Sequence, residues 1–163
     1  MPVLAPTRPT PRHRQSAPSR QHYAALPANP RSIAEARALV RTAIRSWGIP
    51  VDAETAALLV SELVTNAVTH DRTAHDRTAP DSTVTGRTAT GNAWVALEIS
   101  GNRDQLHVEV HDASPAQPVL HEAPSLDAEH GRGLLLVDLL SSAWGCFPTA
   151  AGKAVYFTLT TAQ

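Results

Sequence analysis

The segment 52–70, DAETAALLVSELVTNAVTH, constrains the fold most, because its apolar residues recur at the spacing of an amphipathic helix. A helix of this kind must bury one face against another layer of the protein. At about 100° per residue, Glu62 and Asn66 fall on the edge of the apolar face, and His70 follows them. We therefore expect these polar side chains in the wall of a pocket. The apolar stripe consists of Ala56, Leu59, Val60, Leu63, Val64 and Ala67.

Caps and breakers predict where this helix and the preceding one begin and end. Asp52 is an N-cap residue for the segment described above. The preceding segment, SIAEARALVRTAIRSWG, also has helical periodicity. Ser32, with Glu35 three residues later, predicts the start of that helix, and Gly48 predicts its end.

Strands and one further helix are predicted elsewhere. AWVALEIS and QLHVEVHD alternate apolar and polar residues, with GNRD as the turn between them. HYAALPANP is predicted as an edge strand closed by Pro30. Near the end of the sequence, GLLLVDLLSSAW is predicted as an apolar helix, and CFPTAAGKAVYFTLT as a hairpin with Gly152 in its turn.

Two histidines stand two residues either side of an acid in the second of these strands. His107 and His111 share one face of the strand with Glu109 between them. The strand pattern favours a hydrogen-bonded pair of histidines over a metal site, because it supplies no third ligand beyond these side chains.

Two long segments lack periodicity. Residues 71–92 are polar and low in complexity, which predicts a flexible surface insertion. Residues 112–133 are punctuated by prolines, and a loop of that length is typical of a lid or binding loop.

The first residues of the chain differ from the rest in charge. Residues 1–31 contain five arginines and no acid, which leaves nine basic against 15 acidic residues and a net charge of −6 in the remainder. Seven of the 13 prolines also lie in the first 30 residues. Residues 1–22 are therefore predicted to be a disordered basic tail, and a solvated leader is favoured over a nucleic-acid contact because no aromatic residues interleave with the arginines.

Composition predicts one globular domain over residues 23–163. Hydrophobic residues make up 42% and charged residues 18%, as in ordinary globular proteins. Cys146 is the single cysteine, so an internal disulfide is excluded, which suits a reducing compartment. No apolar run approaches the roughly 20 residues that a membrane span needs, and no signal-peptide pattern is present. We expect a cytoplasmic protein with no membrane contact.

Three places carry the chemistry. The amide oxygen of Asn66 is a suitable hard ligand for Mg²⁺, and the carboxylate of Glu62 one turn earlier can accept a proton. Asp112, at the end of a strand, can accept a hydrogen bond from an exocyclic amine. Gly131 and Gly133 open a helix whose free N–H groups favour phosphate. Arg132, between the two glycines, adds a guanidinium group that can donate paired hydrogen bonds to a phosphate. Each feature alone is weak evidence for a functional site. Their order along the sequence is more informative than any one of them.

That order resembles the ATP-binding domain of the GHKL (Bergerat-fold) superfamily, shared by histidine kinases, heat-shock chaperones, type II topoisomerases and MutL proteins. SELVTNAVTH is similar to its N box, VEVHDASP to its first glycine box, and GRGLLLV to its second. The resemblance covers about residues 23–160 and is strongest to bacterial anti-sigma-factor serine/threonine kinases. It implies an α/β two-layer sandwich, with a mixed β-sheet and helices packed on one face.

The resemblance also implies roles for individual residues. Asn66 would coordinate Mg²⁺, Glu62 would act as general base, and Asp112 would bind the adenine amino group of ATP. The residues that would complete the nucleotide site are Ser114, Gly131, Arg132, Gly133 and Leu134. The partners implied are an anti-anti-sigma-type protein as substrate and a sigma factor, and homodimers occur among such relatives.

Two departures from the family pattern keep an alternative open. Ser114 stands where a glycine is frequent, and Ala154 where a threonine often helps to hold adenine. A catalytically weak, ATP-gated binding module without kinase activity is therefore the second hypothesis. The catalytic half of a histidine kinase is disfavoured, because no helix with a phosphoacceptor histidine precedes the domain and the tail is too rich in proline to form one.

Overall fold

The chain folds into a layer of helices packed on one face of an antiparallel β-sheet. The computed structural model describes residues 3–4, 20–75, 93–114, 118–120 and 132–161. The helices are α1 (Arg31–Trp47), α2 (Ala53–His75) and α3 (Arg132–Leu140). The strands are β1 (Val3–Leu4), β2 (Arg20–Pro27), β3 (Trp94–Gly101), β4 (Gln105–Asp112), β5 (Val119–Leu120), β6 (Ala143–Thr149) and β7 (Gly152–Thr160).

The main sheet has the order β2-β3-β4-β7-β6, while β1 pairs with β5 separately. The predicted two-layer α/β fold is confirmed. The prediction of a mixed sheet is wrong, because all four strand pairings in this sheet are antiparallel. The cause is the path of the chain: after α3 it enters the sheet at the far edge as β6, and the tight turn to β7 brings the last strand back beside β4 in the antiparallel sense.

Alternation along β4 separates the two faces of the sheet. Leu106, Val108 and Val110 are buried beneath the helices, whereas His107 and Glu109 point to the opposite, outer face. The strand pair predicted from AWVALEIS and QLHVEVHD is confirmed, with a turn in which the side chain of Asn102 accepts hydrogen bonds from the next residues.

Helix α2 occupies the centre of the helical layer, where it contacts α1, α3, β4 and β7. Every residue of its predicted apolar stripe is buried, at 2% exposure or less. Each fully buried aliphatic side chain contributes about 1.5–3 kcal/mol, so this stripe fixes the rotation of α2 about its own axis. Its polar edge then faces the gap towards α3.

Of the three predicted cap residues, two cap their helices in the structure and one does not. Asp52 Oδ2 accepts a hydrogen bond from the backbone N–H of Thr55 at 2.8 Å, as an N-cap does. Gly48 ends α1 in the left-handed conformation, at φ 64°. The prediction of Ser32 as the N-cap of α1 is wrong, because Ser32 lies inside the first turn, buried, and donates its hydroxyl to the carbonyl of Pro27.

Two boundaries also differ from the sequence prediction. Helix α2 continues to His75, so the first five residues of the predicted insertion are helical, and 76–92 lie outside the described residues. Helix α3 stops at Leu140, and Trp144 belongs to β6. The indole N–H of Trp144 donates to Asp138 Oδ1 at 2.7 Å, which ties the strand to α3.

The predicted tail and lid are described only in part. Strand β2 already includes residues 20–22, and the short strand β1 pairs with β5 from the predicted lid segment. Residues 1–2, 5–19, 115–117 and 121–131 of these two segments lie outside the described residues. Among the helices described, none has the length and apolar character needed to cross a membrane.

Candidate functional site

The carboxylate of Glu62 on α2 lies directly against Gly133 at the start of α3. A Cβ atom added to Gly133 would lie 3.2 Å from Glu62 Cβ and 3.3 Å from Glu62 Cδ, and it would overlap Oε2. Any larger residue at this position would force the Glu62 side chain to shift. Two motifs that are distant in the sequence, the polar edge of one helix and the glycine that opens another, therefore meet as one site.

Glu62 is half-buried in this gap. Burial raises the pKa of its carboxyl group above the ordinary value. A carboxylate with a raised pKa is a better proton acceptor near neutral pH than an exposed one. The position predicted for a general base thus has the electrostatic environment that such a base needs.

Asn66 lies one helical turn after Glu62 and is half-buried as well. Residues four apart on a helix have Cβ atoms about 5–6 Å apart on one face. Asn66 therefore lies on the same polar edge of α2 as Glu62. The side chain of His70, third in the predicted line, is outside the described residues.

Helix α3 begins at Arg132 and presents its first turn towards α2. The first N–H groups of a helix have no partner within it, so they are available to an anion. Leu134 is 6% exposed and its side chain belongs to the core, so only its backbone is available to line a site. Gly131 and the side chain of Arg132 lie outside what the structure describes.

Asp112 ends β4 on the side of the sheet that faces the helices. Its side chain is 5% exposed. The carboxylate accepts a hydrogen bond from the backbone N–H of Ser114 at 2.8 Å, through Oδ1. The predicted adenine ligand is therefore a buried and fixed carboxylate, and Ser114 contributes its backbone to holding it.

Lys153 forms a buried ion pair with Asp112 that the sequence analysis missed. The two residues are opposite each other in the β4–β7 register, and Lys153 Nζ lies 2.9 Å from Asp112 Oδ1. The ammonium group also donates to the carbonyl of Ser114 at 3.2 Å. The ammonium group of Lys153 and the backbone N–H of Ser114 thus both donate to Oδ1 of Asp112. One signal in the sequence was available: Lys153 is the only lysine among 14 basic residues.

This pair corrects the predicted position of the family's threonine. Ala154 is matched to the family's threonine from the sequence, but it is paired with His111 and Phe147 on the outer face of the sheet. Alternation along β7 places Lys153, one residue earlier, on the face of Asp112. The side chain of β7 that lies beside Asp112 is therefore the ammonium group of Lys153.

Gly152 allows β7 to approach the end of β4 closely. A Cβ atom on Gly152 would lie 2.6 Å from the carbonyl carbon of Ala113 and would overlap the carbonyl oxygen of Asp112. Its φ of 151° is also unfavourable for a residue with a side chain. The predicted turn glycine therefore also positions Asp112. A shallow depression beside it is lined by Trp94, His111, Asp112, Ala113 and Ala151.

A polar-edged central helix, a glycine at the start of a second helix and a buried aspartate at a strand end are together the features of a nucleotide-binding domain. A family model described as a histidine kinase-like ATPase domain matches residues 26–158. The chain belongs to this family, as its motifs predict. A search among curated proteins found no match. An ATPase domain implies ATP as the ligand of the site.

Proposed function

We propose that this protein is a serine/threonine protein kinase of the anti-sigma-factor type. It transfers the γ-phosphoryl group of Mg²⁺-ATP to a serine or threonine hydroxyl on an anti-anti-sigma-type protein, and it binds a sigma factor as a competing partner. The observation that carries this proposal is the half-buried carboxylate of Glu62 against Gly133. A base in this position adjoins the helix start where phosphates bind.

The residues present fit the nucleotide and its metal ion. The N–H groups at the start of α3 suit phosphate oxygens, and the Asn66 amide oxygen is a ligand type that Mg²⁺ accepts. Asp112 Oδ2 suits the amino group of adenine, because Lys153 and the Ser114 N–H already hold Oδ1. Bound Mg²⁺-ATP supplies the transferable phosphoryl group together with part of the charge neutralisation.

The chain's own groups then do little covalent chemistry. The oxygen of the partner's hydroxyl group bonds to the γ-phosphorus, and the bond from that phosphorus to the departing diphosphate breaks. Glu62 accepts the proton that the hydroxyl group loses. The raised pKa of Glu62 favours this acceptance. Catalysis otherwise rests on positioning, for which the close approach of α2 and α3 is required.

The test is transfer of labelled γ-phosphate to anti-anti-sigma-type proteins from the same cell. We expect the unaltered protein to label one of them, and Glu62→Gln to abolish labelling while ATP binding is retained. Glu54→Gln is the matched control, because it removes a carboxylate from the same helix at a site whose side chain is 73% exposed. If the unaltered protein binds ATP and labels no partner, the kinase assignment is wrong.

The Lys153–Asp112 pair favours one second candidate, an ATP-gated binding module. An ammonium group already neutralises the carboxylate, so nucleotide binding here could serve to switch partner affinity without phosphorylation. Partner affinity should then change equally with ATP and with a non-hydrolysable analogue. A kinase instead releases or modifies its partner only with ATP.

A further inference from the structure

The outer face of the sheet carries a cluster of imidazole and carboxylate groups that the nucleotide site does not use. Glu109 and His111 on β4 and Glu98 on β3 present ligand atoms that all lie within 4.8 Å of one another. All three side chains are half-buried. Alternation along β4 puts Glu109 and His111 on the face opposite to Asp112 and the helices. Glu98 is paired with Glu109 across the strands and lies on the same face.

The third ligand comes from the strand register. Glu98 and Glu109 are directly opposite each other in the β3–β4 pairing, so two carboxylates of like charge face one another. Like charges in this position destabilise a sheet. A cation between the two acids would relieve the repulsion.

The geometry of the pair Glu109–His111 is already close to that of two ligands of one ion. His111 Nε2 lies 3.1 Å from Glu109 Oε2. Ligands at zinc distances in a tetrahedral site are about 3.3 Å apart. The other oxygen of Glu109 accepts a hydrogen bond from His107 Nε2 at 2.9 Å, and His107 Nδ1 in turn lies 2.9 Å from Thr158 Oγ1. This chain from β7 to β4 fixes the orientation of the carboxylate.

The donor set selects the kind of ion. Imidazole suits zinc and other transition metals, whereas Mg²⁺ prefers oxygen ligands and water. One imidazole nitrogen with two carboxylate oxygens leaves a fourth tetrahedral position open towards solvent. Zinc is therefore the ion that fits best.

We propose that Glu98, Glu109 and His111 form a zinc-binding site on the outer face of the sheet, with His107 as a positioning residue for Glu109. His111 would coordinate the ion through Nε2 as a neutral imidazole, with its ring proton on Nδ1. Glu98 and Glu109 lie on the opposite face of the sheet from Asp112, and the inference does not depend on the proposed kinase function.

The test is a zinc titration of the full chain without nucleotide, in competition with a chromophoric chelator. We expect one equivalent to bind, His107→Gln to weaken binding about 10–100-fold, and Glu98→Gln and His111→Gln each to weaken it more than that. Cobalt should give the intense visible absorption of a tetrahedral site in the unaltered protein and lose it in both variants. His107→Gln should retain that absorption with weaker affinity. His22→Gln is the control, because this histidine is exposed on β2 of the same sheet.

Two outcomes would overturn the site. One is the absence of saturable zinc binding by the unaltered protein. The other is binding that neither Glu98→Gln nor His111→Gln weakens, which would assign the ion to other residues of the chain. Glu98→Gln relieves the repulsion between the facing acids, so it is expected to fold, and its circular dichroism and urea midpoint confirm that any loss of affinity is local.

Discussion

Lys153 Nζ lies 2.9 Å from Asp112 Oδ1, and both side chains are 5% exposed. A buried ion pair is retained only where its geometry is good, because both charges lose their water. Here the pair stands at the end of two neighbouring strands, where Asp112 is the expected adenine ligand. Lys153 is therefore the residue that compensates the buried charge of Asp112.

Removing one partner of this pair should destabilise the protein strongly. Lys153→Met leaves the Asp112 carboxylate buried without compensation, at a cost of about 3–5 kcal/mol. The double variant Lys153→Met/Asp112→Asn removes both charges and should recover most of that loss. Urea denaturation of both variants measures the difference. Equal destabilisation by the single and double variants would contradict the proposed coupling.

Gly133→Ala should separate activity from stability. An added methyl group displaces the Glu62 carboxylate, and a displacement near 1 Å can lower a catalysed rate about 100-fold. Alanine is the better helix former by about 1 kcal/mol, so the urea midpoint should change little. Labelled phosphoryl transfer and urea unfolding are measured on one preparation. A variant as active as the unaltered protein would show that the contact has no part in catalysis.

Glu62→Gln should make the protein more stable at neutral pH and inactive. Because the folded state raises the pKa of Glu62 above its ordinary value of 4.5, its contribution to stability is fully present below that value and is lost as the pH rises through the folded pKa. Glutamine does not ionise, so the variant does not lose this stability as the pH rises. The variant should lose about 10²–10⁴-fold in phosphoryl transfer, as expected for removal of a general base.

The measurement for Glu62→Gln is the free energy of unfolding at about pH 4 and about pH 8. The variant should exceed the unaltered protein at the higher pH, with the difference shrinking at the lower one. Glu54→Gln on the same helix should show the opposite dependence on pH, because the hydrogen bond from Arg41 lowers the pKa of Glu54. A difference that is independent of pH would mean that titration of Glu62 is not its cause.

Two glycines with positive φ should respond differently to alanine. Gly48 has φ 64° and nothing within 4 Å of an added Cβ atom, so Gly48→Ala should cost only the backbone conformation, about 1–2 kcal/mol. Gly152→Ala meets the backbone of Asp112 and Ala113, so its cost adds steric overlap to conformation.

Thermal unfolding compares the two glycine variants, and nucleotide affinity gives a second measure. Gly152→Ala should also weaken ATP binding, because Asp112 must shift, whereas Gly48→Ala should leave it unchanged. If both variants unfold at the same temperature and bind ATP equally, the close approach of β7 to β4 has no consequence.

Several features could be predicted from short stretches of sequence. The buried stripe of α2, its cap at Asp52 and the end of α1 at Gly48 each depend on residues within a few positions of one another, and all are confirmed. The prediction of Ser32 as an N-cap was wrong because its hydrogen-bond partner belongs to the preceding turn. The Ser32 hydroxyl donates to the carbonyl of Pro27, and the residue lies within the first turn of α1.

Local sequence therefore determined the helices, the hairpins and the spacing of Glu62 and Asn66, because helical and strand periods are fixed by the backbone over a few residues. Only the tertiary structure decided which distant side chains meet. The pairing of Lys153 with Asp112, the facing of Glu98 and Glu109, and the contact of Glu62 with Gly133 all depend on strand register or helix packing between segments far apart in the chain. A shift of one residue in register would send each strand partner to the opposite face.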